Sequence, residues 1–423
     1  MSGKAVARHV PAARTPAPRS TLWIVFTTIL IDFIGFSVLI PVLPIYAHKL
    51  GASSVQVALI LSLYALAQLI FLPAWGWLSD RIGRRPVILV SLSGTVASFL
   101  LLALGQSLAV IYLARILAGL FAASIGTAQA IVNDVTTDAE RAQGMGLIGA
   151  AFGLGFVLGP ALGGLLSKID DRAPFYGICI LALANLGVAF FRLPESHPPP
   201  NQRNWSGLGE TLVPSPLRLL FATHDKRIGR YLFLFFVLFT AFAALESMFT
   251  LFMLERFGLG ISAASYVFAF IGVWIALTQG VLIRRLAPLL GERRLVVIGL
   301  VLTGAGLAVI PLVPSAGWLY LVTPIVAVGN GLAFPSFTSL YSKACRAEKA
   351  GQLLGESQSM ATTGRIFGPI WAGFAFGHID FGAPFVIAGF LMFVALGLFR
   401  LWRRTLLGEE SEALARAEAR GGG

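Results

Sequence analysis

Charged residues are scarce in this 423-residue chain, where Asp, Glu, Lys and Arg together make up 12% of the sequence. A soluble domain has roughly 25% charged residues, so the chain has about half the charge that a water-exposed surface needs. Hydrophobic residues make up 57%, and the mean hydropathy is +0.81. The composition predicts an all-α membrane protein, and the length has room for about twelve spans of about 20 residues each.

The sequence also lacks the residues of several catalytic and metal sites. The two cysteines, Cys179 and Cys345, are far apart and have no metal-ligand spacing, which argues against a disulfide framework and a zinc site. There is no Gly-x-x-x-x-Gly-Lys-Ser/Thr loop, so ATP hydrolysis is not expected. We therefore expect a protein that is not an enzyme and that holds neither a cofactor nor a metal.

Twelve apolar runs alternate with short loops whose positive charge lies on one side. The predicted spans are approximately 22–46, 55–77, 87–106, 109–131, 143–167, 174–192, 229–254, 262–285, 294–313, 317–340, 351–376 and 382–402. Most Lys and Arg residues fall in the even-numbered loops, and cytoplasmic loops carry such an excess, so both termini are predicted to be cytoplasmic. Because the net charge of +12 follows this topological pattern, binding to nucleic acid is not expected.

One long polar stretch divides the chain into two halves. It contains three consecutive prolines, at 198–200, and reads as a flexible linker. The predicted organisation is a disordered cytoplasmic tail at 1–20, a six-helix bundle at 21–192, a cytoplasmic linker at 193–228, a second six-helix bundle at 229–403 and a cytoplasmic tail at 404–423.

A glycine pattern in the fifth run supports two related halves. Its residues recur in the eleventh run, where Gly364 follows Gly155 by 209 residues and Gly368-Pro369 matches Gly159-Pro160. Such a pattern often means only close helix packing, whereas a Gly-Pro pair in mid-run also bends the helix. The residues of the first copy are Gly155, Gly159, Pro160, Gly163 and Gly164.

The most distinctive stretch is residues 76–86, a short charged segment between the second and third runs. Its glycines and charges are Gly76, Asp80, Arg81, Gly83, Arg84 and Arg85. We expect a tight turn in which Gly83 adopts a backbone conformation closed to other residues and Gly76 allows two helices to approach. On charge alone the segment either sets the topology only or forms a network with Asp134 and Arg141 that changes as helices move.

Four ionisable residues lie inside apolar runs, where an Asp or Arg costs about 2.5–3.5 kcal/mol unless it faces a cavity or a partner. They are Asp32, Arg115, Glu246 and Arg365. The two carboxylates are either structural or proton carriers, with Glu246 placed near the position equivalent to Asp32 and slightly favoured as the carrier. Arg115 is either a fixed counter-charge or an aid to proton release.

Several motifs together resemble the major facilitator superfamily, and within it the drug/proton antiporters, which include tetracycline exporters. They are Asp32-x-x-Gly35 with Pro41 and Pro44, the segment 76–86, Arg115-x-x-x-Gly119, Asp134 through Arg141, and the Gly159-Pro160 helix. The resemblance implies two six-helix bundles around a cavity, a cytoplasmic gate network of Asp80, Arg84, Asp134 and Arg141, an assisting role for Arg115 in proton transfer, and Asp32 in the cavity. The Gly-Pro helix is typical of exporters.

The resemblance implies a proton-coupled exporter of a small lipophilic molecule, acting as a monomer in the cytoplasmic (inner) membrane. Where tetracycline exporters carry a His on the eighth helix and an Asp on the ninth, this chain has Ile275 and Thr303, so another substrate is expected. The alternatives are a metabolite or sugar exporter or facilitator of the same fold, and a membrane sensor on a transporter scaffold.

Overall fold

The computed structural model describes residues 19–197, 226–344 and 350–402, and these residues form helices without any strand. The helices are α1 Arg19–Lys49, α2 Ser54–Ile82, α3 Arg84–Leu104, α4 Leu108–Leu120, α5 Ser124–Val135, α6 Asp138–Leu166, α7 Ala173–Arg192, α8 Lys226–Phe257, α9 Ile261–Leu277, α10 Ile283–Leu290, α11 Glu292–Val309, α12 Leu319–Ala344, α13 Ala350–His378 and α14 Ala383–Leu401. We name α1–α7 the N-terminal half and α8–α14 the C-terminal half. The predicted all-α fold is confirmed.

Eleven stretches of the described residues are helical, long and apolar enough to cross a membrane. Two of them join consecutive helices, α4 with α5, and α9 with α10 through the π-helical turn Thr278–Leu282. The predicted span 351–376 lies in α13, but Glu356, Arg365 and several hydroxyl side chains make α13 more polar than the other spans. Because Glu356, Ser357 and Thr362 are buried, this polarity faces neighbouring helices and not lipid.

The tight turn predicted within residues 76–86 is made by a single residue. Helix α2 continues to Ile82 and α3 begins at Arg84, so Gly83 alone separates the two helices. Its φ of +101° and ψ of 161° lie in a region that only glycine occupies freely. The charged residues around it remain helical, so their side chains are held at fixed positions on the two helix ends. The predicted tails and residues 198–225 of the predicted linker lie outside the described residues.

Glycine faces pack the helices of each half in the same way. A Cβ added at Gly155 or Gly159 of α6 would meet Ile34 and its neighbours on α1. A Cβ added at Gly364 or Gly368 of α13 would meet Thr240 and its neighbours on α8. The 209-residue repeat seen in the sequence therefore corresponds to a repeat of helix contacts, α6 on α1 and α13 on α8.

The halves meet at the ends of the spans that face the odd-numbered loops. Ser54 of α2 donates a hydrogen bond to the carbonyl of Gly373 on α13 at 2.9 Å, and the hydroxyls of Ser167 and Ser262 lie 2.9 Å apart. A Cβ added at Gly272 of α9 would lie 2.7 Å from the carbonyl oxygen of Phe156 on α6. These contacts close the boundary between the halves on the odd-loop side.

The halves separate toward the even-numbered loops. Along α6, a Cβ added at Gly164 would touch α9, one at Gly153 would lie 4.0 Å from Ala276, and one at Gly149 or Gly146 would meet no described atom within 4 Å. A Cβ added at Gly76 on α2 or at Gly355 on α13 would likewise meet no described atom within 4 Å. For the described residues, which leave out 198–225 and 345–349, the space between the halves is therefore closed on the odd-loop side and open on the even-loop side.

The contact at Gly272 predicts a conformational variant. Gly272→Val should hold α9 away from α6, because the added side chain has no room beside Phe156, and should thus favour opening of the odd-loop side. Alkylation of a cysteine placed at Ser265, in a background without Cys179 and Cys345, should become faster in purified protein. Gly280→Val, whose added Cβ meets nothing within 4 Å, is the matched control. Equal alkylation rates in the two variants would contradict the closed boundary.

Candidate functional site

Asp32 lies beside a break in the fourth span. The Ser124 hydroxyl, at the first position of α5, donates a hydrogen bond to Oδ2 of Asp32. The other carboxylate oxygen, Oδ1, is buried without a hydrogen-bond partner, and no Lys, Arg or His nitrogen of the described residues lies within 4.0 Å of the carboxylate. Asp32 is therefore a carboxylate between helices that lacks a compensating cation.

The break that places Ser124 is itself supported by side chains. Residues 121–123 leave the helical path between α4 and α5, which frees backbone groups that lipid cannot satisfy. The Ser91 hydroxyl donates to the carbonyl of Phe121 at 2.5 Å and accepts from the N–H of Ala123 at 3.2 Å, and Trp75 donates to the carbonyl of Leu120 at 2.6 Å. Sequence reasoning missed this break, since the run 109–131 was interpreted as one uninterrupted span.

Arg115 is buried on α4 and packs on an aromatic ring. Its guanidinium carbon lies 4.3 Å from the ring centroid of Tyr64, whose hydroxyl is 3.4 Å from Nε2 of Gln68. Nε of Arg115 has no hydrogen-bond partner among the described residues, and no carboxylate of those residues lies within 4.0 Å. Tyr64 and Gln68 were not among the predicted site residues, because a tyrosine within an apolar run carries no signal of its own.

Glu246 and Arg365 face each other in the C-terminal half. Nη2 of Arg365 lies 3.9 Å from Oε1 of Glu246, a distance that allows electrostatic attraction but no hydrogen bond. The guanidinium also lies 5.4 Å from the ring centroid of Phe36 on α1 and 5.6 Å from that of Phe239 on α8. Because Phe36 belongs to the N-terminal half, Arg365 contacts both halves.

Glu246 is not at the position equivalent to Asp32. The glycine contacts pair Ile34 of α1 with Thr240 of α8, an offset of 206 residues, so the counterpart of Asp32 is Leu238. Glu246 is eight residues, about two helical turns, farther toward the odd-loop side. The prediction was wrong because α1 and α8, unlike α6 and α13, share no glycine pattern from which to align them. The two carboxylates thus belong to different levels of the space between the halves.

The charged network at Gly83 forms within the N-terminal half. Arg84, which is 8% exposed, donates to Oδ1 of Asp80 at 2.5 Å and to Oδ2 of Asp134 at 3.1 Å. It therefore fastens the end of α2 to the end of α5. The network is thus formed in a structure whose even-loop side is open. It contains three of the four residues that the resemblance assigns to a cytoplasmic gate network. The side chain of the fourth, Arg141, lies outside the described part of the chain.

The other predicted residues of this segment have separate contacts. Arg81 lies 3.9 Å from the ring centroid of Trp77, and Arg85 donates to the carbonyl of Phe190 at 2.7 Å. A Cβ added at Gly76 would meet no described atom within 4 Å, so Gly76 is not packed against another described helix.

Glu195 is a member of the network that sequence reasoning missed. Its two carboxylate oxygens accept hydrogen bonds from the backbone N–H groups of Arg84, at 2.8 Å, and Arg85, at 3.1 Å. These are unpaired N–H groups at the start of α3, where a negative charge is favourable. A Cβ at Gly83 would clash with the same carboxylate, so Gly83 also makes room for Glu195. Glu195 follows α7, and thus α7 is fixed to the start of α3.

This contact predicts a loss of stability. Glu195→Ala should lower the free energy of unfolding by about 0.5–2 kcal/mol, the usual effect of losing a helix cap, because two N–H groups lose their acceptor. The measurement is thermal unfolding of the purified protein in detergent. Glu255→Ala, which removes an exposed carboxylate on the odd-loop side, is the control and should leave the midpoint unchanged. If both variants unfold at the wild-type temperature, the cap contributes nothing.

The C-terminal half has a counterpart of this network with its charges reversed. Gly291 has a φ of +75° and separates α10 from α11 as Gly83 separates α2 from α3. Glu292 then pairs with Lys343 at 2.8 Å and accepts from Ser339 at 2.6 Å. Glu292 follows Arg84 by 208 residues and Lys343 follows Asp134 by 209, so each carries the opposite charge to its counterpart. Sequence reasoning did not find this pair.

Comparisons with known proteins agree with this architecture. A family model described as the Major Facilitator Superfamily matches residues 25–360. The tetracycline resistance protein, class B, of Escherichia coli is 30% identical over 82% of this chain and 86% of its own length. Multidrug resistance protein 1 of Bacillus subtilis is 30% identical over 90% of this chain and 96% of its own length. The crystal structure of the human organic anion transporter MFSD10 (TETRAN) superimposes with a TM-score of 0.69 at 25% identity, and the match covers 91% of this chain and all of that one.

The fold is thus that of a membrane transporter with two related halves around a charged space. This chain belongs to the Major Facilitator Superfamily. The resemblance to drug/proton antiporters found in the sequence is confirmed by its tetracycline-resistance and multidrug-resistance relatives.

Proposed function

We propose that this protein is a secondary active exporter that exchanges protons for a small lipophilic molecule by alternating access. The observation that carries the proposal is the set of ionisable groups between the halves, Asp32, Arg115, Glu246 and Arg365, in a space that one side closes and the other opens. Such residues are expensive in a membrane and mark substrate or proton pathways. The names of the relatives, which are resistance proteins, support export.

We place the even-loop side in the cytoplasm, because the excess of Lys and Arg lies there. The structure then corresponds to the state in which the cytoplasm has access to the site. The inner-membrane location and the monomeric state are also proposals, and they rest on the resemblance to the family. The division into bundles at 21–192 and 229–403, with a linker at 193–228 and tails at 1–20 and 404–423, is a proposal that rests on the sequence pattern.

Of the two carboxylates, we propose Asp32 as the proton carrier. Glu246 has Arg365 at 3.9 Å, and a nearby cation favours the charged form of a carboxylate. Asp32 has only the Ser124 hydroxyl and no cation within 4.0 Å, so its charged form is less compensated. This reverses the slight preference for Glu246 that the sequence alone suggests.

Energy is not limiting for such an exchange. One charge that crosses 100 mV releases about 2.3 kcal/mol, which is enough for roughly a 50-fold gradient of a neutral substrate per proton. No ATP is therefore needed.

The experiment is a substrate panel in proteoliposomes with an imposed pH gradient. Accumulation of at least one lipophilic compound against its own gradient, abolished when a protonophore removes the pH gradient, is the expected result. Compounds of the panel that only equilibrate, with no response to pH, would instead identify a facilitator, and accumulation of sugars or polar metabolites alone would identify the metabolite exporter.

A further inference from the structure

The side chain of Arg365 occupies a site that is built for a cation. The rings of Phe36 and Phe239 and the carboxylate of Glu246 surround its guanidinium, and we name these three side chains the Phe–Glu site. A cation within about 6 Å of an aromatic centroid is attracted by the face of the ring, and both rings satisfy this limit. The site combines two aromatic faces with one carboxylate, a combination that recognises organic cations.

Arg365 is held only loosely in this site. Its contact with Glu246 is 3.9 Å, whereas Arg84, in the network at Gly83, makes hydrogen bonds of 2.5 and 3.1 Å to its two carboxylates. Oε1 of Glu246 and Nε of Arg365 are both buried without a hydrogen-bond partner among the described residues. An arginine that served only to hold helices together would be expected to use these groups, because unsatisfied buried donors and acceptors cost free energy.

The position of the site suits a molecule that enters from the open side. Phe36 belongs to the N-terminal half and the other members belong to the C-terminal half, so the site spans the boundary that moves in alternating access. The side chain of Arg365 is 31% exposed and that of Glu246 is 13% exposed, so the arginine has space into which to turn away.

Further aromatic rings extend from Phe36. The ring of Phe33 lies 5.5 Å from that of Phe36, 4.6 Å from that of Phe152 and 6.1 Å from that of Phe156. These rings offer an apolar surface next to the cationic position, which suits a ligand whose charge is carried by a body of aromatic or aliphatic groups.

We propose that the Phe–Glu site binds the cationic centre of a lipophilic cation, and that Arg365 is a built-in competitor that this ligand displaces. The assignment of that ligand as the exported substrate rests on the proposed function, whereas the binding itself does not. The opposite possibility, that Arg365 is the receptor for an anionic ligand, makes the opposite prediction for the same variants.

The test uses purified full-length protein in detergent and two probes of the same shape and opposite charge, tetraphenylphosphonium and tetraphenylborate. Binding is measured by equilibrium dialysis against protein-free micelles, so that a transport defect cannot affect it. Wild type should bind the phosphonium more tightly than the borate. Arg365→Gln should bind the phosphonium roughly tenfold more tightly, since the competitor is removed together with its two cation–π contacts and its ion pair.

The members of the site should act in the other direction. Phe36→Leu and Phe239→Leu should each weaken phosphonium binding by about two- to fivefold, the value of one cation–π contact, and Glu246→Gln should weaken it further. The controls are Arg256→Gln, which removes an arginine that lies 5.8 Å from Phe381 near the odd-loop side, and Phe233→Leu, which truncates an exposed ring of the same helix as Phe239. Both controls should bind as wild type does.

Weaker or unchanged phosphonium binding by Arg365→Gln would overturn the proposal. Tighter wild-type binding of the borate than of the phosphonium, lost in Arg365→Gln, would identify Arg365 as an anion receptor. Phosphonium binding that follows the prediction without any proton-driven transport would retain the site and refute the proposed function, so the two failures are distinguishable.

Discussion

Asp32→Asn is expected to abolish proton-driven accumulation of substrate while leaving substrate binding close to that of wild type. Asparagine keeps the size of the side chain and can still accept a hydrogen bond from Ser124, but it takes up no proton in the transport cycle. The substrate should then still move down its own gradient, whereas an imposed pH gradient should no longer drive it uphill. The measurement is uphill transport in proteoliposomes, with downhill exchange recorded in the same preparation.

Glu246→Gln, measured beside it, separates the two carboxylates. If Glu246 belongs to the substrate site, the glutamine variant should raise the substrate concentration needed for half-maximal transport but should retain a response to the pH gradient at saturating substrate. Loss of the pH response in Glu246→Gln and its retention in Asp32→Asn would assign the proton to Glu246. If both variants still accumulate substrate in response to pH, neither residue is the carrier and the proton account of this space fails.

Arg84→Gln is expected to have the second largest effect. The guanidinium fastens Asp80 on α2 to Asp134 on α5, and its removal leaves Asp134, which is only 18% exposed, without its ion pair. Hydrogen bonds to charged groups contribute about 1.5–3 kcal/mol each, so both the unfolding temperature and the transport rate should fall. Asp80→Asn should impair transport with a smaller loss of stability, because the Asp80 side chain is 58% exposed and Asp134 still pairs with Arg84.

The control for Arg84→Gln is Arg284→Gln, which removes a positive charge from an exposed position at the corresponding end of the C-terminal half. Its transport and unfolding temperature should equal those of wild type. Full transport by Asp80→Asn and Arg84→Gln at normal expression would show that the segment only sets the topology, as the positive-inside reading allows.

The sequence was sufficient for the membrane class, the helical fold and most span positions. Those features depend on long apolar runs and on glycines at fixed spacing, which are local properties of the chain. Residues 155–164 and 364–373 could be aligned for that reason, and their packing on α1 and α8 follows the same repeat.

Partners from distant parts of the chain could not be predicted. Ser124 meets Asp32 only because the fourth span breaks at residues 121–123, and Glu195 meets Arg84 only because α7 ends beside α3. The position predicted for Glu246 was wrong for a related reason. A carboxylate in an apolar run shows that a polar surface is near, but it does not show at which depth along the helix that surface lies. The open side of the molecule depends on the relative position of the halves, which no local pattern encodes.

The most direct test of proton exchange is to let the substrate drive the protons. Proteoliposomes that contain a pH-sensitive dye and no initial pH gradient would receive a gradient of a transported compound, and the internal pH would be followed. Antiport predicts that protons move opposite to the substrate, and that Asp32→Asn abolishes this movement while the substrate still equilibrates. Substrate movement with a constant internal pH, or with protons moving in the same direction, would contradict the account.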